Sequence, residues 1–245
     1  MSLEKLKAEA VKLRQNIDAV YAAGKAAGGG DSYYDVFWDD YQQNGARKDY
    51  SYAFCGDCWS EETLKPKYNI APVDTSSTTR NAMGMFSYFA RRANPPFDVT
   101  ELCKKLDLSS VLSAQNLFHN AKVKNITLNL SNVETMNSCF NANDGGWISG
   151  YVTLTVSEKC TVYTNAFNRM SYVEQLTFTD GSVIAADISF AQSNVLTDES
   201  VQSIINALKD FTGGTSKKVT FHTDVVNRLT DEQLTQIALK NWQLG

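Results

Sequence analysis

Several ingredients are scarce in these 245 residues, and each scarcity removes a class of function. There are two histidines, His119 and His222, and no motif places an Asp or Cys partner beside either. Structural imidazoles are the better reading than catalytic bases. No window reaches the roughly 18 apolar residues of a membrane-crossing helix, so no membrane insertion is expected. Positive charge is not in excess: 23 Lys and Arg stand against 27 Asp and Glu, a net charge of -4. A nucleic-acid partner calls for a basic face, so none is expected. The run Met1-Ser2-Leu3-Glu4-Lys5-Leu6-Lys7 is charged and has no apolar signal core, which predicts synthesis and folding in a cytoplasm.

The five cysteines, Cys55, Cys58, Cys103, Cys139 and Cys160, are odd in number and scattered, which excludes a regular disulfide framework. Cys139 immediately precedes a recurring phenylalanine and Cys160 falls between two repeats, so both read as buried thiols. Cys55-Gly56-Asp57-Cys58 is the sharpest local motif. It lacks the strand–helix setting of a thioredoxin-like redox site and the second ligand pair of a zinc site, which leaves a local disulfide or two free thiols. Phosphate-binding, nucleophile-elbow and zincin motifs are all missing. Asp39-Asp40 and Glu61-Glu62 are sequence neighbours, and such pairs rarely straddle a cleft as glycosidase carboxylates must. The sequence therefore assigns no catalytic residue, no cofactor and no metal.

What is present is a repeat. Leu117-Phe118-His119-Asn120, Cys139-Phe140-Asn141-Ala142, Ala166-Phe167-Asn168-Arg169 and Ser189-Phe190-Ala191-Gln192 place phenylalanines 22, 27 and 23 residues apart. Strand-like runs follow the first three at 126–130, 151–156 and 176–178. A period of this length with one short strand predicts an α/β solenoid of leucine-rich-repeat type, in which each unit buries its apolar side on the next. Phe118, Phe140, Phe167 and Phe190 are the expected repeat core, each on a short helix or turn. Residues 83–97 read as a degenerate first repeat, and the solenoid is placed at 83–195. The longest spacing contains Asn143-Asp144-Gly145-Gly146-Trp147, read as a surface loop with Asn143, Asp144 and Trp147 as candidate binding residues.

Different patterns flank the repeats. Leu3, Leu6, Ala10, Leu13, Ile17 and Val20 alternate spacings of three and four, a narrow heptad stripe that predicts an N-terminal coiled-coil helix over 1–27 and a dimer or trimer. Ten of the 27 aromatic residues fall between Tyr33 and Tyr68, which makes 28–82 read as an aromatic-rich linker and N-terminal cap. Asp98 is the expected N-cap of a helix over 99–106. From residue 196 onward a helix–strand–helix–strand cap is predicted. Thr197 caps its first helix, the strand spans 218–223, Thr230 and Gln233 form a capping box, and 242–244 closes the cap as a strand.

The stretch from Tyr163 to Phe178, with its Asn165-Ala166-Phe167-Asn168-Arg169 turn, resembles the BspA-like leucine-rich repeats of bacterial surface proteins. Residues 33–245 resemble, more widely, leucine-rich-repeat proteins encoded near tail genes in phages and prophages of Gram-positive gut bacteria. Phe37-Trp38-Asp39-Asp40-Tyr41, Leu106-Asp107-Leu108-Ser109 and Leu229-Thr230-Asp231-Glu232-Gln233 carry that likeness. Cys55 and Cys58 depart from a Ser-Gly-x-Gly-Trp run common in similar proteins, which makes the pair look incidental. The resemblance implies a non-enzymatic, tail-associated virion protein. Its implied partners are itself, other tail proteins and a host surface polysaccharide or protein. A purely architectural tail component and a bacterial adhesin-like protein are the alternatives.

Overall fold

Left-handed backbone recurs at fixed distances from the repeat phenylalanines and sets the local geometry. Gly84, Asn116, Ser138 and Asn165 each precede a phenylalanine by two positions, with φ between 51 and 62°. Tyr88, Asn120 and Arg169 follow one by two positions, with φ of 54 to 59°. Glycine and asparagine adopt this conformation at least cost, which explains the polar runs in the repeat. The result is a turn whose alternate N–H groups all face the next turn. Gly84, Phe86 and Tyr88 donate to Gln115, Leu117 and His119; Asn116, Phe118 and Asn120 donate to Asn137, Cys139 and Asn141; and Ser138, Phe140 and Ala142 donate to Thr164, Ala166 and Asn168, all at 2.7–3.1 Å.

The computed structural model describes residues 80–245 apart from Arg92. The heptad stripe Leu3, Leu6, Ala10, Leu13, Ile17 and Val20, the aromatic stretch and Cys55 and Cys58 lie outside the described residues. Within them, β1 (Phe97–Asp98), β2 (Lys122–Leu130), β3 (Trp147–Val156) and β4 (Tyr172–Phe178) form a parallel sheet in that order. A second parallel sheet joins β5 (Ile188–Phe190), β6 (Lys217–Phe221) and β7 (Trp242–Leu244). Four helices accompany the strands: α1 (Thr100–Lys105), α2 (Asp198–Ala207), α3 (Thr223–Val226) and α4 (Asp231–Leu239).

The core is organised in ranks. Ile126, Val152 and Leu176 are register partners, and so are Leu128, Leu154 and Phe178; all six side chains are buried. Opposite them, on the outer face, Thr127, Thr153 and Thr177 pair in register. Like residues stack on like because parallel strands in constant register repeat the same environment, and β-branched residues suit that pleated surface. Phe86, Phe118, Phe140, Phe167, Phe190 and Phe221 form a column, with successive ring centroids 5.0, 6.3, 5.7, 4.9 and 5.9 Å apart. Offset ring stacking at such distances adds to the apolar area each ring buries.

Helix α2 closes the edge of β4. Ser200 Oγ accepts from the Leu176 N–H at 2.9 Å, and Ser203 Oγ accepts from the Phe178 N–H at 2.8 Å. Two hydroxyls one helical turn apart therefore take the place of a fifth strand's carbonyls. Thr197 and Thr230 cap α2 and α4 through the N–H groups of Ser200 and Gln233, and Gln233 returns the bond to the Thr230 N–H.

Other expectations need correction. Phe190 lies on β5, because rank 188–190 pairs with β6 and so adopts extended backbone. The division at 195/196 does not separate the sheets: β5 precedes it and pairs with β6 beyond it. Asp98 is not the cap of α1. Val99 holds that position, and the Asp98 carboxylate accepts from the Thr100 N–H and hydroxyl. The strand expected over 218–223 ends at Phe221, because His222 turns to cap α3 with Nδ1 accepting from the Asp224 N–H.

Candidate ligand-binding face

Alternation along β3 sorts its side chains into two sets. Ile148, Val152, Leu154 and Val156 enter the core, while Trp147, Ser149, Tyr151, Thr153 and Thr155 face outward. Trp147 is the first residue of the strand and not part of the preceding loop, which corrects the sequence expectation. It stacks on Tyr172 of β4, with centroids 4.3 Å apart and planes 25° from parallel. Lys122 of β2 lies 5.5 Å from the Trp147 centroid. Because β3 runs between β2 and β4, Trp147 is clasped by a cation from one strand and a ring from the other. Tyr172 is 52% exposed and Tyr151 56%, against 36% for Trp147. Tyr151 pairs in register with Gln175 of β4.

Beyond the tyrosines the face is hydroxylic. Gln175 Nε2 donates to Thr177 Oγ1 at 3.4 Å, and the Thr155 and Thr179 hydroxyls meet at 2.8 Å. Thr177 also opens onto a cleft of about 430 Å³ between the end of β4 and α2. Asp180, Glu199, Gln202, Ser203 and Asn206 supply its polar wall, with no Lys or Arg in it. A second cleft, of about 490 Å³, lies between residues 161–165 and 186–189, bordered by Lys217, Lys218 and Thr220.

Asn143 and Asp144 are exposed, as expected of the candidate loop, yet they are firmly anchored. Asp144 pairs with Arg91 at 3.2 Å, and its N–H donates to Asn120 Oδ1 at 2.8 Å. The Asn143 side chain accepts from Asn168 Nδ2, and its carbonyl accepts from Arg169 Nη1. Gly146 approaches so closely that a Cβ there would lie 2.6 Å from the Asn120 Cα. The structure thus separates the expected binding trio: Trp147 joins the sheet face, while Asn143 and Asp144 clamp neighbouring turns.

The thiols among the described residues are held in unreactive states. Cys103, Cys139 and Cys160 are buried free thiols. Burial pushes Cys103 up to about 12 and raises the other two, Cys139 well above the ordinary thiol value. A thiol that stays protonated is a poor nucleophile. Burial also raises the Tyr163 phenol, with Cys160 beside it reinforcing the shift. Asn120 Oδ1 is committed to Asp144, so its Nδ2 faces His119 Nε2, 2.9 Å away, and donates to it. The His119 proton then sits on Nδ1, which is buried without a hydrogen-bond partner. Desolvation lowers the His119 pKa, opposed in part by the Asp144 charge. Among the described residues no three His, Cys, Asp or Glu side chains converge to hold a metal.

Sequence reasoning found Trp147 but missed Tyr151, Tyr172 and Lys122. The signal was available in the period-two alternation of 147–156, which assigns Tyr151 to the face shared with Trp147. The partnership with Tyr172 depends on strand order and register, which the sequence does not print. Comparison with protein families, with curated proteins and with solved structures finds no match.

Proposed function

We propose that the turn–strand units form a leucine-rich-repeat-like solenoid that acts as a non-enzymatic binding protein, presented on a phage tail or tail-like particle. The observation that carries the binding role is the outer face of β2–β4, where Tyr151 and Tyr172 stand more than half exposed beside the clasped Trp147. Large rings left in water on an ordered sheet mark interaction surfaces. The tail setting rests on the resemblance of 163–178 and of the flanking stretches to repeat proteins encoded beside tail genes. The host surface, or a neighbouring virion protein, is the partner class that follows. Display in several copies through residues 1–27 would strengthen weak single contacts.

Fluorescently labelled full-length protein incubated with intact Gram-positive gut bacteria tests this reading. Saturable staining, competed by unlabelled protein, is the expected result. Absence of staining together with co-purification with tail proteins would favour an architectural role. That alternative has its own observation: Leu239 on α4 is 70% exposed and Leu234 40%, apolar positions suited to a protein neighbour.

A further inference from the structure

We infer that the outer face of β2–β4, continued into the cleft beside α2, is a binding site for an extended neutral glycan. The inference rests on the surface-binding role proposed above and specifies its site and ligand chemistry.

Two kinds of group meet on this face. Pyranose rings present patches of weakly positive C–H, and these pack on the electron-rich face of an aromatic ring. Trp147 is flanked by Lys122 and Tyr172 and presents mainly its edge. Its role is to hold the Tyr172 ring upright, so that the tyrosine offers its remaining face. Tyr151, diagonally across on β3, supplies a second platform. Sugar hydroxyls require donors and acceptors in alternation, and the path from Tyr151 provides them through Gln175 and Thr177 and on into the cleft. Hydroxyl, amide and carboxylate groups on that wall together offer both roles.

Charge selects a neutral chain. The cleft holds the carboxylates of Asp180 and Glu199 and no cationic side chain. The lysines at the other end are committed, Lys122 to the Trp147 ring and Lys124 to Asp98 at 3.9 Å. A sulfated or uronic-acid polymer would meet repulsion from Asp180 and Glu199 in the cleft. The β4 edge is closed to an added peptide strand by Ser200 and Ser203.

Calorimetric titration of full-length protein with maltohexaose, cellohexaose and hexa-N-acetylchitohexaose, with a heparin hexasaccharide alongside, tests the site. At least one neutral hexasaccharide is expected to bind, and heparin is not. Tyr172→Ala and Tyr151→Ala should each weaken binding about three- to tenfold, the worth of one aromatic contact, with the melting temperature unchanged for Tyr151→Ala and slightly lowered for Tyr172→Ala, which also loses the Trp147 stack. Glu199→Gln, in the cleft wall, should weaken binding as well. No binding by any neutral probe at millimolar concentration overturns the inference. So does preferential heparin binding, or an affinity unmoved in the Tyr151→Ala/Tyr172→Ala double variant. Cell staining separates this failure from failure of the wider reading. Equal staining by wild type and double variant sinks the glycan face alone. Hexasaccharide binding without any cell staining sinks the wider role alone.

Discussion

Phe167 touches three other rings: Phe140 at 5.7 Å, Phe190 at 4.9 Å and Phe178 edge-on at 6.1 Å. It has no exposed surface. Phe167→Ala opens a hole that the rigid turns on either side cannot fill, and it should cost roughly 3–5 kcal/mol in chemical denaturation. His119 gives a second, pH-dependent prediction. Burial holds its folded-state value below the ordinary 6.5, so the unfolded chain takes up the proton more readily. Its contribution to stability is complete above the unfolded value and declines as pH falls through it. Between about pH 7.5 and 5.5, wild-type protein should lose more melting temperature than His119→Gln. An equal loss would place the titration elsewhere. At this scale the sequence was legible where a periodic signal existed: the phenylalanine spacing leads directly to Phe118, Phe140, Phe167 and Phe190. It was silent on Asn120, whose amide binds Asp144 and His119 together, because nothing in a linear chain marks a residue as the meeting point of two turns.

Helix α2 has one apolar face, yet its serines decide where the first sheet ends. Ser203→Ala removes the acceptor described for the part-buried Phe178 N–H and should cost about 1 kcal/mol, the net worth of one such bond. Ser203→Thr keeps the hydroxyl and should recover most of that loss; equal destabilisation by both variants would deny the hydroxyl its role. Thr230→Ala removes the hydroxyl that accepts from the Gln233 N–H in the capping box on α4 and should cost about 1 kcal/mol by the same measurement. The caps Thr197 and Thr230 could be read from sequence because a cap lies within four residues of what it caps. The pairing of β5 with β6 could not, since 26 residues, including all of α2, separate Phe190 from Lys217. A strand as short as β5 carries too little alternation to reveal its neighbour.

The whole molecule adds residues 1–27, where the heptad stripe predicts self-association. Light scattering on the full chain and on a truncation lacking those residues should give different masses, dimer or trimer against monomer. Two monomers would remove the coiled coil. In the described residues, one ordering principle links the Phe86, Phe118 and Phe140 turns to the turns that follow them. Along the phenylalanine turns themselves, from Gly84 through Ala142, the alternate donors belong to the earlier turn and the acceptors to the later one. Peptide units aligned in this way add their dipoles as they do in a helix, but along a direction perpendicular to the chain. The array is therefore electrically vectorial, with its positive pole toward the carboxyl-terminal turns. Two such arrays meeting end to end would attract in one orientation and repel in the reverse, an arrow built from main chain.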